Sequence, residues 1–96
     1  MIAVDGESNE RLVLDGEWLE KQRMGQPKAR IPASSFRSAE WKEFSKRKKL
    51  FGGEKVEMVQ VVLTFEKPPF IGFITENEKR APLEEIVAGL EKAAAA

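Results

Sequence analysis

Residues 10–21, ERLVLDGEWLEK, set two apolar runs on either side of Asp15 and Gly16. This is the pattern of a β-hairpin closed by a two-residue turn. With Asp15 and Gly16 as the turn, Leu14 stands opposite Glu17, Val13 opposite Trp18, Leu12 opposite Leu19, Arg11 opposite Glu20 and Glu10 opposite Lys21. The last two pairs join opposite charges, which favours the same register by some tenths of a kcal/mol each.

The alternation then stops. Between Gln22 and Phe36, Gly25, Pro27 and Pro32 interrupt any helix or central strand, and Arg23, Lys28 and Arg30 are spread among them, so the segment reads as a basic loop at about 22–37. Its last part, residues 30–36, can add an edge strand, where Pro32 is tolerated. Residues 39–51 match a helix: Ser38 suits the N-cap, Glu40 and Glu43 lie near the positive end, and Gly52 suits the position after the C-cap. Trp41, Phe44 and Phe51 then share one face, bridged by the Lys48 stem, while Lys42, Lys46 and Lys49 share another.

A second hairpin is predicted over residues 55–75, from KVEMVQVVLTFE and FIGFIT with a connection at Glu66 to Pro69. That connection sets Phe65 opposite Phe70 and Val61 opposite Ile74 on one side, and Val62 opposite Phe73 and Thr64 opposite Ile71 on the other. Both sides are apolar, so the hairpin needs covering twice, by a helix on one face and by a second helix, the first hairpin or another subunit on the other. Residues 82–94 read as a closing helix, with Pro82 at its first turn and Leu83, Ile86, Val87 and Leu90 as its apolar stripe. The expected fold is α+β: one small domain spanning 1–96, an antiparallel sheet of two hairpins (10–21 and 55–75) packed with two helices (39–51 and 82–94).

Composition narrows the chemistry. Among 96 residues there is no Cys, His or Tyr, so the side chains most used for proton transfer near neutral pH, thiolate nucleophiles and transition-metal ligands are missing. The expectation is a non-enzymatic protein with no catalytic residues, cofactor or metal. The absence of Cys favours a cytoplasmic setting. The start shows neither a basic n-region nor an apolar h-region, and no apolar stretch approaches the roughly 20 residues of a membrane span.

Net charge is zero, but the charges are sorted: residues 21–55 carry eleven Lys and Arg against three Glu, and both flanks are acidic. The string FSKRKKLFGG is the sharpest candidate for chemistry, since clustered cations beside an aromatic ring suit phosphates. Cations in the last turn of a helix also offset its dipole, and Glu43 can pair with Arg47 at i, i+4. VDGE at 4–7 and LDGE at 14–17 are simpler as turns than as Ca²⁺ or Mg²⁺ ligands. Ser45 with Lys49 lacks an oxyanion hole, and Gly52–Gly53 lacks the spacing of a phosphate loop.

Two functional expectations result. The first is a binding module whose loop 22–37 and helix 39–51 dock on a polyanion, most readily a nucleic acid, through Arg23, Lys28, Arg30, Arg37, Lys42, Lys46, Arg47 and Lys49. The second is a protein-binding regulator, or a subunit of a homo-oligomer or larger assembly, with Trp18, Val62 and Phe73 as contacts and an acidic protein surface as a possible partner of the cations. The two part on whether the cations gather in space or are neutralised by the acidic flanks.

Overall fold

The structure, a computed structural model, describes residues 1–47, 54–67 and 70–96. It is mostly sheet: a four-stranded antiparallel sheet in the order β1-β2-β3-β4, a three-stranded antiparallel sheet in the order β5-β6-β7, and one C-terminal helix. The strands are β1 (Ile2–Asp5), β2 (Glu10–Asp15), β3 (Trp18–Arg23), β4 (Gln26–Pro32), β5 (Phe36–Arg47), β6 (Lys55–Phe65) and β7 (Ile71–Glu76); α1 is Arg80–Ala95. Single 3-10 turns at Glu7–Asn9, Ala33–Ser35 and Asn77–Lys79 join β1 to β2, β4 to β5 and β7 to α1.

The first hairpin forms, with its turn moved one residue along. Asp15 pairs with Trp18 and Leu14 with Leu19, so Gly16 and Glu17 are the central residues. Gly16 has φ +59°. Glycine at the first central position of a two-residue turn takes this positive φ without strain and matches the hairpin twist. The displacement keeps Leu12, Leu14 and Leu19 on one side, where Leu12 and Leu19 are fully buried. Lys21 still reaches Glu10, at 3.0 Å, as a diagonal neighbour. Its Nζ also donates to the Gly72 carbonyl at 3.1 Å, tying β3 to β7.

The expected basic loop is largely strand. Residues 26–32 form β4, an edge strand of the first sheet, which explains how Pro27 and Pro32 are accommodated. Met24 and Gly25 make the β3–β4 turn, both with positive φ (53° and 78°). A left-handed conformation costs a non-glycine residue roughly 1–2 kcal/mol. Met24 is 75% exposed and so loses little packing on replacement. Met24→Asn is expected to stabilise the protein by about 0.5–1 kcal/mol, read as a rise of several degrees in the thermal midpoint.

The helix predicted over 39–51 is strand as far as it is described: residues 36–47 form β5, twelve residues long, paired with β6 from Phe36–Phe65 to Arg47–Lys55, and residues 48–51 lie outside the described residues. An isolated helix of this length is marginal, and Ser38, Trp41, Phe44 and Ser45 are weak helix formers. β6, by contrast, is a central strand that needs a hydrogen-bonding partner on each side, and β5 supplies the second. Trp41 and Phe44, three apart, consequently fall on opposite sides: Trp41 opposite Val61 toward the core, Phe44 opposite Met58 on the outer face.

The second hairpin forms with a one-residue shift. Val61 pairs with Phe73, Val62 with Gly72, Leu63 with Ile71 and Gln60 with Ile74. Such a slip exchanges the sides of every partner. It brings Phe73 inside at 1% exposure and leaves Ile74 outside, half-buried. Phe73 as a contact residue is thereby corrected: it is core. Buried Thr75 donates its hydroxyl to the Asp5 carbonyl at 2.8 Å, which satisfies the one buried polar side chain among the described residues and links β7 to β1.

The C-terminal helix forms as expected, with Leu83, Ile86, Val87 and Leu90 all buried. One apolar core joins this stripe to Val4, Leu12, Leu14 and Leu19 of the first sheet and to Val59, Val61, Leu63, Ile71 and Phe73 of the second. Phe36 and Phe65 meet edge to face at 5.9 Å beside it. Helix and first sheet therefore cover the same side of β5-β6-β7.

Candidate functional site

The basic residues fall into three places. On the β3–β4 hairpin, Arg23 sits across from Gln26, and Lys28 is the extra residue of a bulge between Gln22–Pro27 and Lys21–Ala29. Arg23, Met24, Gln26 and Lys28 line a shallow depression of about 500 Å³. Arg30 lies 4.6 Å from the centroid of the Trp18 ring, across the strand from Glu20. A guanidinium over an exposed ring is held by about 0.5–1 kcal/mol. Trp18 itself is 39% exposed and borders a hollow of about 420 Å³ shared with Pro32, Ser34 and Ala93.

The remainder runs along β5. Arg37 occupies a bulge between Phe36 and Ser38 and pairs with Glu66. Lys42 is exposed opposite Gln60, Lys46 pairs with Glu7, and Arg47 stands opposite Lys55. At about 3.3 Å per residue, Arg37 and Arg47 are roughly 33 Å apart along the strand. The helical face that would have gathered Lys42, Lys46 and Lys49 does not form, and Lys49 lies outside the described residues. Lys42 and Lys46 share the outer face of the sheet, while Arg47 falls on the other side.

The acidic flanks do fold onto this block. Glu7 comes from the N-terminal flank to Lys46 and Glu66 from the C-terminal flank to Arg37. At the far end of the β5–β6 ribbon, Lys55 shares a depression of about 390 Å³ with Glu57, Glu76 and Glu78. Among the described residues Arg23, Lys28, Lys42, Arg47 and Lys55 form no ion pair. Lys55 is absent from the sequence-derived set, because only the β5–β6 pairing places it beside Arg47 and a helix over 39–51 hides that pairing.

Arg80 is a further cation that sequence reasoning left unassigned. Its guanidinium bonds both Glu84, at 2.7 Å, and Glu43, and lies 5.0 Å from the centroid of the Trp41 ring. The hydrogen bond to Glu84 holds its pKa above the ordinary arginine value, desolvation opposes, and Glu43 adds to the rise. Arg80 is thus a fixed positive charge that neutralises Glu43, the one acidic side chain β5 turns toward the helix.

The outer face of β5-β6-β7 has a different character. Phe44 on β5, Val56 and Val62 on β6 and Ile74 on β7 are half-buried there, Met58 is 1% exposed, and Glu40 and Lys42 lie along one margin. Phe70, just before β7, is 69% exposed. The core shared with α1 and the first sheet lies on the other side, and at the far end of this face Glu7 of the first 3-10 turn reaches Lys46. The face is mixed: Gln60 stands between Val62 and Met58 on β6 and Glu76 follows Ile74 on β7, so its apolar residues are interleaved with polar ones where a solvated face would be polar throughout.

Among the described residues no helix is long and apolar enough to cross a membrane. No family model matches the chain, and it has no match among the curated proteins or the solved structures compared with it.

Proposed function

We propose that this is a non-enzymatic protein-binding module, a regulator or assembly subunit, whose contact surface is the outer face of the three-stranded sheet. The observation that carries the reading is the group Phe44, Val56, Val62 and Ile74, half-buried on the side of the sheet away from the core that α1 and the first sheet share. The charge arrangement supports it, because Glu7 and Glu66 engage two of the cations a polyanion would need. Exposed apolar surface on a face rimmed by charge is the usual mark of a protein contact.

The test is Val62→Lys. Glu40 lies directly opposite and offers the new lysine an opposite charge, so the fold should survive. Light scattering and a stoichiometric pull-down should show a heavier species in the parent protein that this variant loses, with an unchanged circular dichroism spectrum. A parent that is monomeric and takes up no stoichiometric partner overturns the reading.

One observation favours a second reading. Arg47 and Lys55 stand directly opposite each other, a like-charge pair that costs some tenths of a kcal/mol until an anion bridges it. A two-stranded ribbon ending in such a pair can contact nucleic-acid phosphates. Oligonucleotide anisotropy at low salt should then show binding that falls linearly on logarithmic axes as salt rises, and Arg47→Glu with Lys55→Glu should weaken it about a hundredfold. No binding at low salt removes this reading.

A further inference from the structure

Four strands border the two sheets, and three of them are closed to further pairing. β1 is four residues long and has α1 against it through the core. β4 carries Pro27, Pro32 and the Lys28 bulge. β7 is engaged from the first sheet: the Gly72 carbonyl accepts Lys21, Thr75 bonds Asp5, and Gly6 packs against the Ile74 carbonyl. α1 also packs on the inner side of β5, through Arg80 at Trp41 and Glu43, but β5 differs from the other three in length and regularity. It is twelve residues long, has no proline, runs without irregularity from Ser38 to Arg47, and hydrogen-bonds to β6 alone. Proteins guard such edges because their unpaired backbone groups recruit other strands, and an inward-pointing charge is one such guard. Glu43 would serve, but Arg80 has neutralised it.

We infer that β5 is the contact edge and that its partner is a second copy of this chain, the two β5 strands pairing antiparallel about a two-fold axis at Trp41 to make one six-stranded sheet. This goes beyond the reading of the outer face as a protein-contact surface: it assigns the free edge of the same sheet and leaves that face open to a further partner. A two-fold pairing sets residues of equal side-chain direction opposite each other, so the axis passes through a residue. An axis at Trp41 places Glu40 opposite Lys42 of the second copy, twice, on the outer face. An axis at Glu40 or Lys42 stacks like charges on itself. An axis at Glu43 opposes two glutamates, and the Lys46 it would offer Glu40 is already bound to Glu7. The helices then lie on one side of the joined sheet, and the apolar row of each copy continues across it.

Sedimentation or multi-angle light scattering over a wide concentration range should give twice the chain mass, and backbone amides over 38–46 should become protected from hydrogen exchange as concentration rises. Both substitutions are at exposed positions, so folding should be retained. Lys42→Glu and Glu40→Lys should each weaken the dimer about tenfold, since each reverses two pairs, and the double swap should restore it to within about threefold. A monomer at every concentration overturns the dimer; if that monomer still loses a stoichiometric partner on Val62→Lys, the protein-contact reading stands without it. A dimer indifferent to the charge swap overturns the Trp41-centred pairing.

Discussion

Phe73→Ala is expected to destabilise the protein by about 3–5 kcal/mol, a large share of the roughly 5–15 kcal/mol available to a domain of this size. Phe73 is 1% exposed, lies midway along β7 opposite Val61 of the central strand, and belongs to the cluster that joins both sheets to α1. Truncation leaves a cavity that backbone pairing on both sides of β6 prevents from collapsing. Val62→Lys, one step along β6 and facing outward, should cost under about 1 kcal/mol. Urea titration of the two variants gives a direct comparison. Equal destabilisation would mean that the outer face is as packed as the inner one, and with it the proposed contact surface would fall.

Gly6→Ala should cost about 1–3 kcal/mol, although a single methyl is added at a site with an unstrained backbone. A Cβ there would come within 2.5 Å of both the Ile74 carbonyl oxygen and Phe73 Cζ. The carbonyl cannot swing aside as the end of a flexible side chain does. Gly6 is also tied by its own N–H to the Glu10 carbonyl at 2.8 Å, so the loop and β7 must separate together. The readout is again the midpoint of urea unfolding, and the Lys21–Gly72 and Thr75–Asp5 links should loosen with it, visible as faster amide exchange over 71–76. By contrast, Gly89→Ala meets only Leu14 Cδ2 at 2.5 Å, the end of a movable side chain, and should be milder.

How far the chain could be read depends on where each pattern gets its energy. The hairpin at 10–21 and the helix at the end are held by local terms: turn chemistry, alternation and an apolar stripe at helical spacing. Both formed, and the stripe Leu83, Ile86, Val87 and Leu90 is buried to the last residue. β1 escaped notice because four residues carry too short an alternation, although the Asp-Gly echo at 5–6 and 15–16 marked a turn on each side of β2. The β3–β4 turn escaped because Met24 in a left-handed conformation gives no turn signal of its own.

Local pattern established that this chain makes antiparallel hairpins, a closing helix and a basic middle segment. Residues 36–47 show what lay beyond it. Their spacing fits a helix, yet β6 is apolar on its inner row and central in its sheet, so it takes β5 as a strand to satisfy its second edge. Backbone hydrogen bonding across more than ten residues of sequence outweighs propensities of a few tenths of a kcal/mol per residue. The same holds for the one-residue slip between β6 and β7, where burying Phe73 and bonding Thr75 to Asp5 set the register. It holds also for the charges: sequence sorts them into blocks, but only the folded chain brings Glu7 to Lys46 and Glu66 to Arg37, because ion pairs form between neighbours in space.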